Sequence, residues 1–580
     1  MSQTAENTIG KGTWIDKIAK TIIDREIKLQ RPTVIINVES GLGASGIPHI
    51  GSLGDAVRAY GISMALQNLG YNSRLIAFSD DFDGLRKVPS GLPDWLHDHI
   101  CKPVSSIPDP FGDCHNSYGD HMSGLLLEGL NASGIKYEFR SGTQTYKSGI
   151  LTDQTHKILT NSQKIGNKIS ESTGQQKYTK YLPYFPLCEN CNRLYVANAL
   201  EYYPSEQKIS YKCSGNIIGK KQIEGCGHNG ELRLSKGSGK LAWKVEFAAR
   251  WQAFDIRFEA FGKDIMDSVR INDWVSEEIL NYNHPVHAKY EMFLDKGGKK
   301  ISKSSGNVLT PQMWLKYGTP ESLLLLLYKR ISGTRHVGMD DIPHLMDEYD
   351  LYEDIYFGKV KEQNESKRIK LTGIYEYINH LKPPQILSSV HIPYRILIQQ
   401  AGLFKNQNID SNVMLQVLER LKKYGMIRDS DFKDPILQRK INLAINWVND
   451  DVDMDNASGG VKGGEVGVEN DKDSNRWELT AEQKSILKSI STDLKNLESR
   501  LSTPGLSTDA TKGSDNEALA QEVQSIIFNY AKSNGFTPKE IFKLFYRILI
   551  NADKGPRLGN YIVDLGLGNV IKTLDKSSGY

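Results

Sequence analysis

The run Thr33-Val34-Ile35-Ile36-Asn37-Val38 passes straight into the glycine-rich segment Ser40-Gly41-Leu42-Gly43-Ala44-Ser45-Gly46, and this junction restricts the possible folds more than any other stretch. A short β-branched run suits a strand buried on both faces of a parallel sheet. The glycines that follow allow a tight turn and a close backbone approach by a ligand. From Asp55 to Leu69 the apolar positions Val57, Tyr60, Met64 and Leu69 keep one helical face, Gly70-Tyr71-Asn72 stops it, and Arg74-Leu75-Ile76-Ala77-Phe78 reads as a second strand. Strand, glycine turn, helix and strand in that order place a nucleotide site at the carboxyl edge of a parallel sheet. Upstream, Trp14, Ile15, Ile18, Ala19, Ile22, Ile23 and Ile27 predict an amphipathic helix closed by Pro32, after a flexible polar tail over 1–12.

Downstream the texture changes twice. Between about 91 and 240 the pattern is irregular, rich in Pro, Gly and His, and it contains all 6 cysteines, as expected of a metal-bearing insertion. Helix and strand texture returns with Trp243 to Phe261 and Ser268 to Tyr282, and Thr319-Pro320-Glu321 opens a Leu-rich helix over 322–330. A Thr cap followed by Pro is a helix start with a mechanism, since the hydroxyl accepts a free amide and Pro lacks the donor that would go unpaired. Beyond 346 the chain reads as helical throughout, with a capping box at Thr537-Pro538-Lys539-Glu540. Two stretches, 449–475 and 499–516, have scarcely any apolar anchors and are expected to be flexible loops.

Composition narrows the class. At 580 residues and 39% hydrophobic content the chain has material for two to four ordinary cores. It has no apolar run of about eighteen residues and a polar start, so a cytoplasmic protein with no membrane partner is expected. A net charge of +3 is too small to announce nucleic acid, so RNA binding would rest on local patches and shape. Six clustered cysteines fit metal binding in a reducing compartment better than a disulfide scaffold.

Two constellations carry the chemistry. His49-Ile50-Gly51-Ser52 stands where the helix begins, so free amides, a partial positive charge and an imidazole donor converge there. By itself it reads as an ordinary helix start. Some 250 residues later, after Gly297-Gly298, comes Lys299-Lys300-Ile301-Ser302-Lys303-Ser304-Ser305-Gly306-Asn307, a cationic, hydroxyl-rich loop able to close over a polyphosphate. In order and context the pair resembles the two signature motifs of class I aminoacyl-tRNA synthetases, His-Ile-Gly-His and Lys-Met-Ser-Lys-Ser, with Ser52 and Ile301 as the departures. The surrounding text resembles the archaeal-type class I lysyl-tRNA synthetase family over residues 13 to 345, and more loosely through Gly555-Pro556-Arg557-Leu558-Gly559. It comprises Ser40-Gly41, Ser45-Gly46, Asp80-Asp81-Phe82-Asp83-Gly84-Leu85-Arg86-Lys87-Val88-Pro89, Trp243-Lys244-Val245-Glu246, Arg250-Trp251 and Phe261-Gly262-Lys263-Asp264.

That resemblance implies an α/β Rossmann-like catalytic domain over 13–345, with a zinc-bearing insertion at about 91–240, and an all-α anticodon-binding domain over 346–580. It implies activation of L-lysine by ATP with Mg2+, release of diphosphate, and transfer of lysine to the 3′ end of tRNA(Lys). Catalysis would fall to His49, Gly51, Lys300 and Lys303, with Lys303 meeting the departing pyrophosphate. ATP would touch Ser45, Gly46, Pro48, His49, Ile50, Gly51, Ser52, Gly262, Asp264, Lys300, Ile301, Ser302, Lys303 and Ser304, with Asp264 on the ribose. Lysine needs an anionic or cation-π partner for its ammonium. The candidates are Gly41, Asp81, Asp83, Trp243 and Glu246, with Asp80 in the same acidic cluster, and Gly43 stands where the family often carries Thr. A glutamyl-type synthetase and a non-catalytic zinc protein that binds tRNA are the alternatives, and the Asp-rich stretch favours a cationic substrate.

The spacing suggests two metal sites. Cys188-Glu189-Asn190-Cys191 is a knuckle that Cys213 and Cys226 would complete around tetrahedral zinc, with His228 a rival for Cys226. Asp109, Cys114, His115 and His121 form the second group and resemble a zinc site of the same synthetases; Asp113, His97, His99 and Cys101 are rivals. Both zinc ions would be structural. The family further implies that the insertion approaches the acceptor end and the helical domain the anticodon. The runs Lys359 to Lys370 and Arg420-Leu421-Lys422-Lys423 read as charged helix faces.

Overall fold

The computed structural model describes residues 8–112, 114–234, 237–298, 309–383, 388–404, 413–450, 452, 479–501, 514–550, 553 and 555–579. They fall into two compact units, Met1–Ile386 and Leu387–Tyr580. The first contains α1 (Trp14–Lys28), β1 (Ile36–Leu42), α2 (Ile50–Asn68), β2 (Ser73–Ser79), α3 (Tyr118–Ala132), β3 (Glu138–Ser141), α4 (Trp243–Ala253), β4 (Ile256–Gly262), α5 (Met266–Glu278) and β5 (Val286–Tyr290). Helices α6 (Pro320–Tyr328), α7 (Asp341–Tyr356) and α8 (Glu365–Ile378) follow.

The five strands form one sheet in the order β5-β4-β1-β2-β3, with every neighbouring pair parallel. The chain winds outward from β1 in one direction, then returns to its other side with β4. The topological switch point therefore lies between β1 and β4, where a crevice opens at the carboxyl ends.

The first strand is shifted from its sequence reading. Ser40, Gly41 and Leu42 pair with Ala77, Phe78 and Ser79, so half of the expected glycine turn is strand, while Val34 is exposed before it. α2 begins at Ile50, five residues before the Asp55 start read from its apolar face. α1 ends at Lys28, before Pro32; Thr13 and Asp16 cap its start reciprocally.

Two boundaries also need correction. β3 joins the main sheet beside β2, and α3 is its crossover, so 118–141 belong to the nucleotide fold rather than to the insertion expected from residue 91. A four-residue edge strand with one apolar side chain gives little periodic signal. The irregular part proper, from 142 to 241, holds short helices and small antiparallel sheets, the largest formed by Asn198–Tyr203, Lys208–Lys212 and Asn229–Arg233.

Likewise, the first unit runs on to Ile386 rather than ending at 345. α7 and α8 pack with α6, and the Tyr377 hydroxyl donates to Asp16 of α1. A Cβ on Gly373 would stand only 2.2 Å from the Lys11 carbonyl oxygen, which shows how closely α8 lies against the chain entering α1. Helical texture read along the chain cannot tell which core a helix joins.

In the second unit every regular element among the described residues is helical. Ala481–Leu501 packs on Leu567–Ser578, and Ser514–Ser533 on Leu558–Leu565. Pro538–Ile550 starts with the expected box: Glu540 accepts from the Thr537 amide at 2.8 Å, and Thr537 accepts from the Glu540 amide at 3.3 Å. Of the two loops expected here, 451, 453–475 and 502–513 lie outside the described residues. Residues 499–501 and 514–516 are helical. No described helix is long and apolar enough to cross a membrane.

Candidate active site

A cavity of 260 Å³ opens at the switch point. Its walls come from the end of β1 (Gly41, Gly43), the start of α2 (His49, Gly51, Ser52, Asp55, Arg58), the inner face of α4 (Trp243, Phe247, Arg250) and the ends of β4 and β5 (Glu259, Gly262, Asp264, Tyr290). A larger cavity of 560 Å³ lies at the opposite, amino-terminal ends of β2 and β3, beside Ser73 and Glu138. The smaller one is where the sheet concentrates its functional groups.

His49 is the N-cap of α2: its Nδ1 accepts the Ser52 amide at 3.3 Å, which fixes the ring over the helix start. That is why Gly51 follows. A Cβ there would lie 2.8 Å from the His49 ring, so only hydrogen fits beneath it. Ser45, Gly46, Pro48 and Ile50 frame the turn but do not line the cavity; the Ser45 carbonyl accepts from Tyr118, and the Ile50 amide donates to the Leu309 carbonyl at 3.0 Å. Lys300, Ile301, Ser302, Lys303 and Ser304 lie outside the described residues. Their flanks bear on the same spot, Phe293 in the cavity wall and Leu309 on Ile50. Gly262 and Asp264 line the opposite wall, where a Cβ on Gly262 would meet Asp264 Oδ1 at 2.7 Å.

The acidic candidates separate sharply. Asp81 accepts from the Thr143 amide at 2.6 Å and from Ser141, bracing the helix after β3. Asp83 pairs with buried Lys240, which also meets Glu246 at 3.1 Å, and Glu246 accepts from Tyr146 at 2.7 Å. None of these three lines the cavity; Gly41 and Trp243 do. The carboxylates on the wall include Asp80 and Glu259.

Both belong to a cluster around Arg250, which reaches Glu39 at 2.7 Å, Asp80 at 3.3 Å and Glu259 at 3.5 Å. Glu39 and Glu259 are register partners on the two strands flanking the switch point, so their side chains stand abreast. Asp80 follows β2 directly, its amide bonded to the Leu42 carbonyl. Burial pushes Glu39 up to about 8 and Asp80 up to about 7, each partly offset by the guanidinium. Three carboxylates thus share one arginine in a low-dielectric wall. Glu39 and Glu259 escaped the sequence reading, though each is a carboxylate inside a buried strand.

The sequence matches the family described as tRNA synthetases class I (K) over residues 12–380. The chain belongs to that family. The match ends close to Ile386, where the first compact unit ends. Full-length relatives extend the likeness through the second unit. A lysine–tRNA ligase of Cenarchaeum symbiosum (strain A) is 49% identical over 97% of this chain and 98% of its own. One of Methanosphaera stadtmanae is 31% identical, covering 96% and 98%, and one of Rickettsia bellii 29%, covering 99% and 100%.

In this class I synthetase the two cysteine-bearing groups come together in arrangements that could hold a metal ion. Sγ atoms of Cys188 and Cys226 are 3.6 Å apart and those of Cys191 and Cys213 3.8 Å. Four thiolates about 2.3 Å from a tetrahedral zinc would be about 3.8 Å from one another, so the spacing fits. The backbone at His228 helps hold the Cys226 thiol down to about 6, whereas burial pushes the Cys191 and Cys213 thiols up. In the second group Cys114 Sγ lies 3.3 Å from Asp109, 3.2 Å from His115 and 3.3 Å from His121, and the two Nδ1 atoms are 3.2 Å apart. Each set closes within 4.8 Å; among the rivals, His97, His99, Cys101 and His228 stand outside them, and Asp113 lies outside the described residues.

Proposed function

We propose that this synthetase is a lysine–tRNA ligase that activates L-lysine with ATP and passes it to tRNA(Lys). The observation that carries the choice of amino acid is the unbalanced charge around Arg250. Three carboxylates share one guanidinium at the cavity wall, and burial raises two of them toward the protonated form, so an ammonium entering beside Trp243 lets them ionise and pairs with them. The full-length relatives named lysine–tRNA ligase support the same reading.

On this reading Asp80 and Glu259 receive the side-chain ammonium, with Trp243 and Phe247 against the aliphatic stem. The amides of Gly51 and Ser52 and the His49 ring hold the triphosphate, and Asp264 takes the ribose. Magnesium accompanies ATP and spreads the charge that develops on the phosphate oxygens. Attack of the lysine carboxylate on the α-phosphorus expels pyrophosphate, so the chain's work is positioning and charge stabilisation. Lys300 and Lys303 would supply cations to the leaving group. Cys188, Cys191, Cys213 and Cys226 would hold one zinc and Asp109, Cys114, His115 and His121 another, each fastening loops around it. The segment 142–241 would face the acceptor end of tRNA, and the second unit the anticodon.

A panel of amino acids in ATP–pyrophosphate exchange tests the proposal. Lysine should drive exchange and glutamate should not, because a carboxylate substrate would face Asp80 and Glu259. Exchange with glutamate and none with lysine would overturn it, and no exchange with any amino acid would favour a non-catalytic tRNA-binding role.

A further inference from the structure

We propose that Asp273, His284 and His287 form a third metal site, for a divalent transition ion of the zinc, cobalt or nickel type, where α5 meets the start of β5. One ligand atom from each residue lies within 4.8 Å of the others, and all three side chains are half-buried. Asp273 comes from α5, while His284 and His287 flank the entry to β5, so the group joins an edge strand to the helix that precedes it.

The hydrogen-bond pattern of His287 points to an ion. Its Nδ1 lies 3.2 Å from the Glu259 carbonyl, an acceptor only, so Nδ1 carries a hydrogen. The other nitrogen, Nε2, faces Asp273 Oδ1 at 2.9 Å. Nε2 and Oδ1 are thus placed as two donor atoms within reach of one ion. A backbone carbonyl on one nitrogen and a cation on the other is how metal-bound histidines are usually oriented.

His284 brings a second imidazole to the same carboxylate. Its ring stacks on His287 with centroids 5.4 Å apart and planes 4° from parallel, and its Nδ1 is 3.7 Å from the same Asp273 oxygen. One ion shared by the two imidazoles and the carboxylate would tie all three together. Imidazole and carboxylate together select zinc, cobalt or nickel over magnesium or calcium. Coordination through His284 Nδ1 exchanges a 2.8 Å contact with the Pro285 carbonyl, and Glu277, 3.5 Å from His284 Nε2, stands close enough to follow the ring.

The position gives such an ion a role. The His287 ring packs on Trp251 at 5.2 Å and Phe261 at 5.5 Å, and β5 ends at Tyr290 in the cavity wall. An ion here would pin the edge strand that carries Tyr290, and would do so apart from both cysteine-bearing sets.

The full chain, purified with zinc, is titrated with Co2+ in a calorimeter, with metal content counted before and after. The wild type should take up one equivalent more than His284→Asn or Asp273→Asn, and only the wild type should show a Co2+-dependent rise in Tm. These two substitutions avoid the Trp251 and Phe261 packing that His287 supplies. Cys114→Ser and Cys191→Ser proteins should retain the equivalent that His284→Asn loses. Equal uptake by wild type and His284→Asn, or none in the wild type beyond what Cys114→Ser and Cys191→Ser remove, would overturn the site; it bears on neither the amino acid nor the reaction assigned above.

Discussion

On the proposed reading, the choice of substrate turns on Asp80, which pairs with Arg250 at the cavity wall. Burying Glu39, Asp80 and Glu259 beside a single Arg250 costs desolvation that one guanidinium does not fully offset. A bound lysine supplies the missing cation, so ligand binding and charge compensation are the same event. Asp80→Asn should weaken lysine binding on the order of tenfold or more while ATP binding changes little, as a lysine titration and an ATP titration would separate.

The sign of the pH effect follows from the raised carboxyls. With Glu39 near 8 and Asp80 near 7, the empty protein holds protons that its unfolded chain would release near pH 4. The contribution of these two groups to stability therefore falls as pH rises from about 4 to 8. An ammonium favours the ionised forms, so lysine should expel protons and bind more tightly between pH 6 and 8. Calorimetry in two buffers of different ionisation enthalpy reads that release directly; affinity that is flat or falling would contradict it, and Asp80→Asn should flatten the slope.

At the scale of elements, the start of α2 shows how a helix terminus is made into a site. The His49 cap places an imidazole above free amides, and Gly51 is the gap in which that ring rests. Gly51→Ala adds a methyl group 2.8 Å from the ring and raises helix propensity at the same time. The propensity gain offsets part of the strain on the cap, so Tm should change little or fall slightly, while kcat/KM for ATP should fall on the order of a hundredfold through misplacement of His49. A variant with native ATP kinetics would remove His49 from the phosphate site. The element-level corrections share one cause. β1 reaches Leu42 and β3 exists at all because neighbouring strands supply their hydrogen bonds, which the local residues do not announce.

At the scale of the molecule, the two units divide at Ile386, and the family match stops nearby, at residue 380. The cavity, the Arg250 cluster and the cysteine-bearing sets all lie in the first unit. A fragment comprising 1–386 should therefore retain lysine-dependent pyrophosphate exchange while losing most charging of tRNA(Lys). Loss of both activities in a folded fragment would place part of the activation site in the second unit.

What the sequence determined by itself was local and chemical. The presence of a strand before His49-Ile50-Gly51, the grouping of Cys188 and Asp109 with other candidate ligands and the Thr-Pro helix starts depend on side-chain type and spacing, so they can be read from the chain, whereas the end of β1 cannot. What only the tertiary structure decided was which charges meet. Asp80, Asp81 and Asp83 are nearly adjacent in the chain, yet one faces Arg250 and the cavity, one caps a turn and one binds Lys240. Glu39 and Glu259 stand more than two hundred positions apart and become neighbours only through the register of β1 and β4. A carboxylate's role depends on the dielectric and the partner it finds, and both are properties of the packed sheet, not of the chain around it.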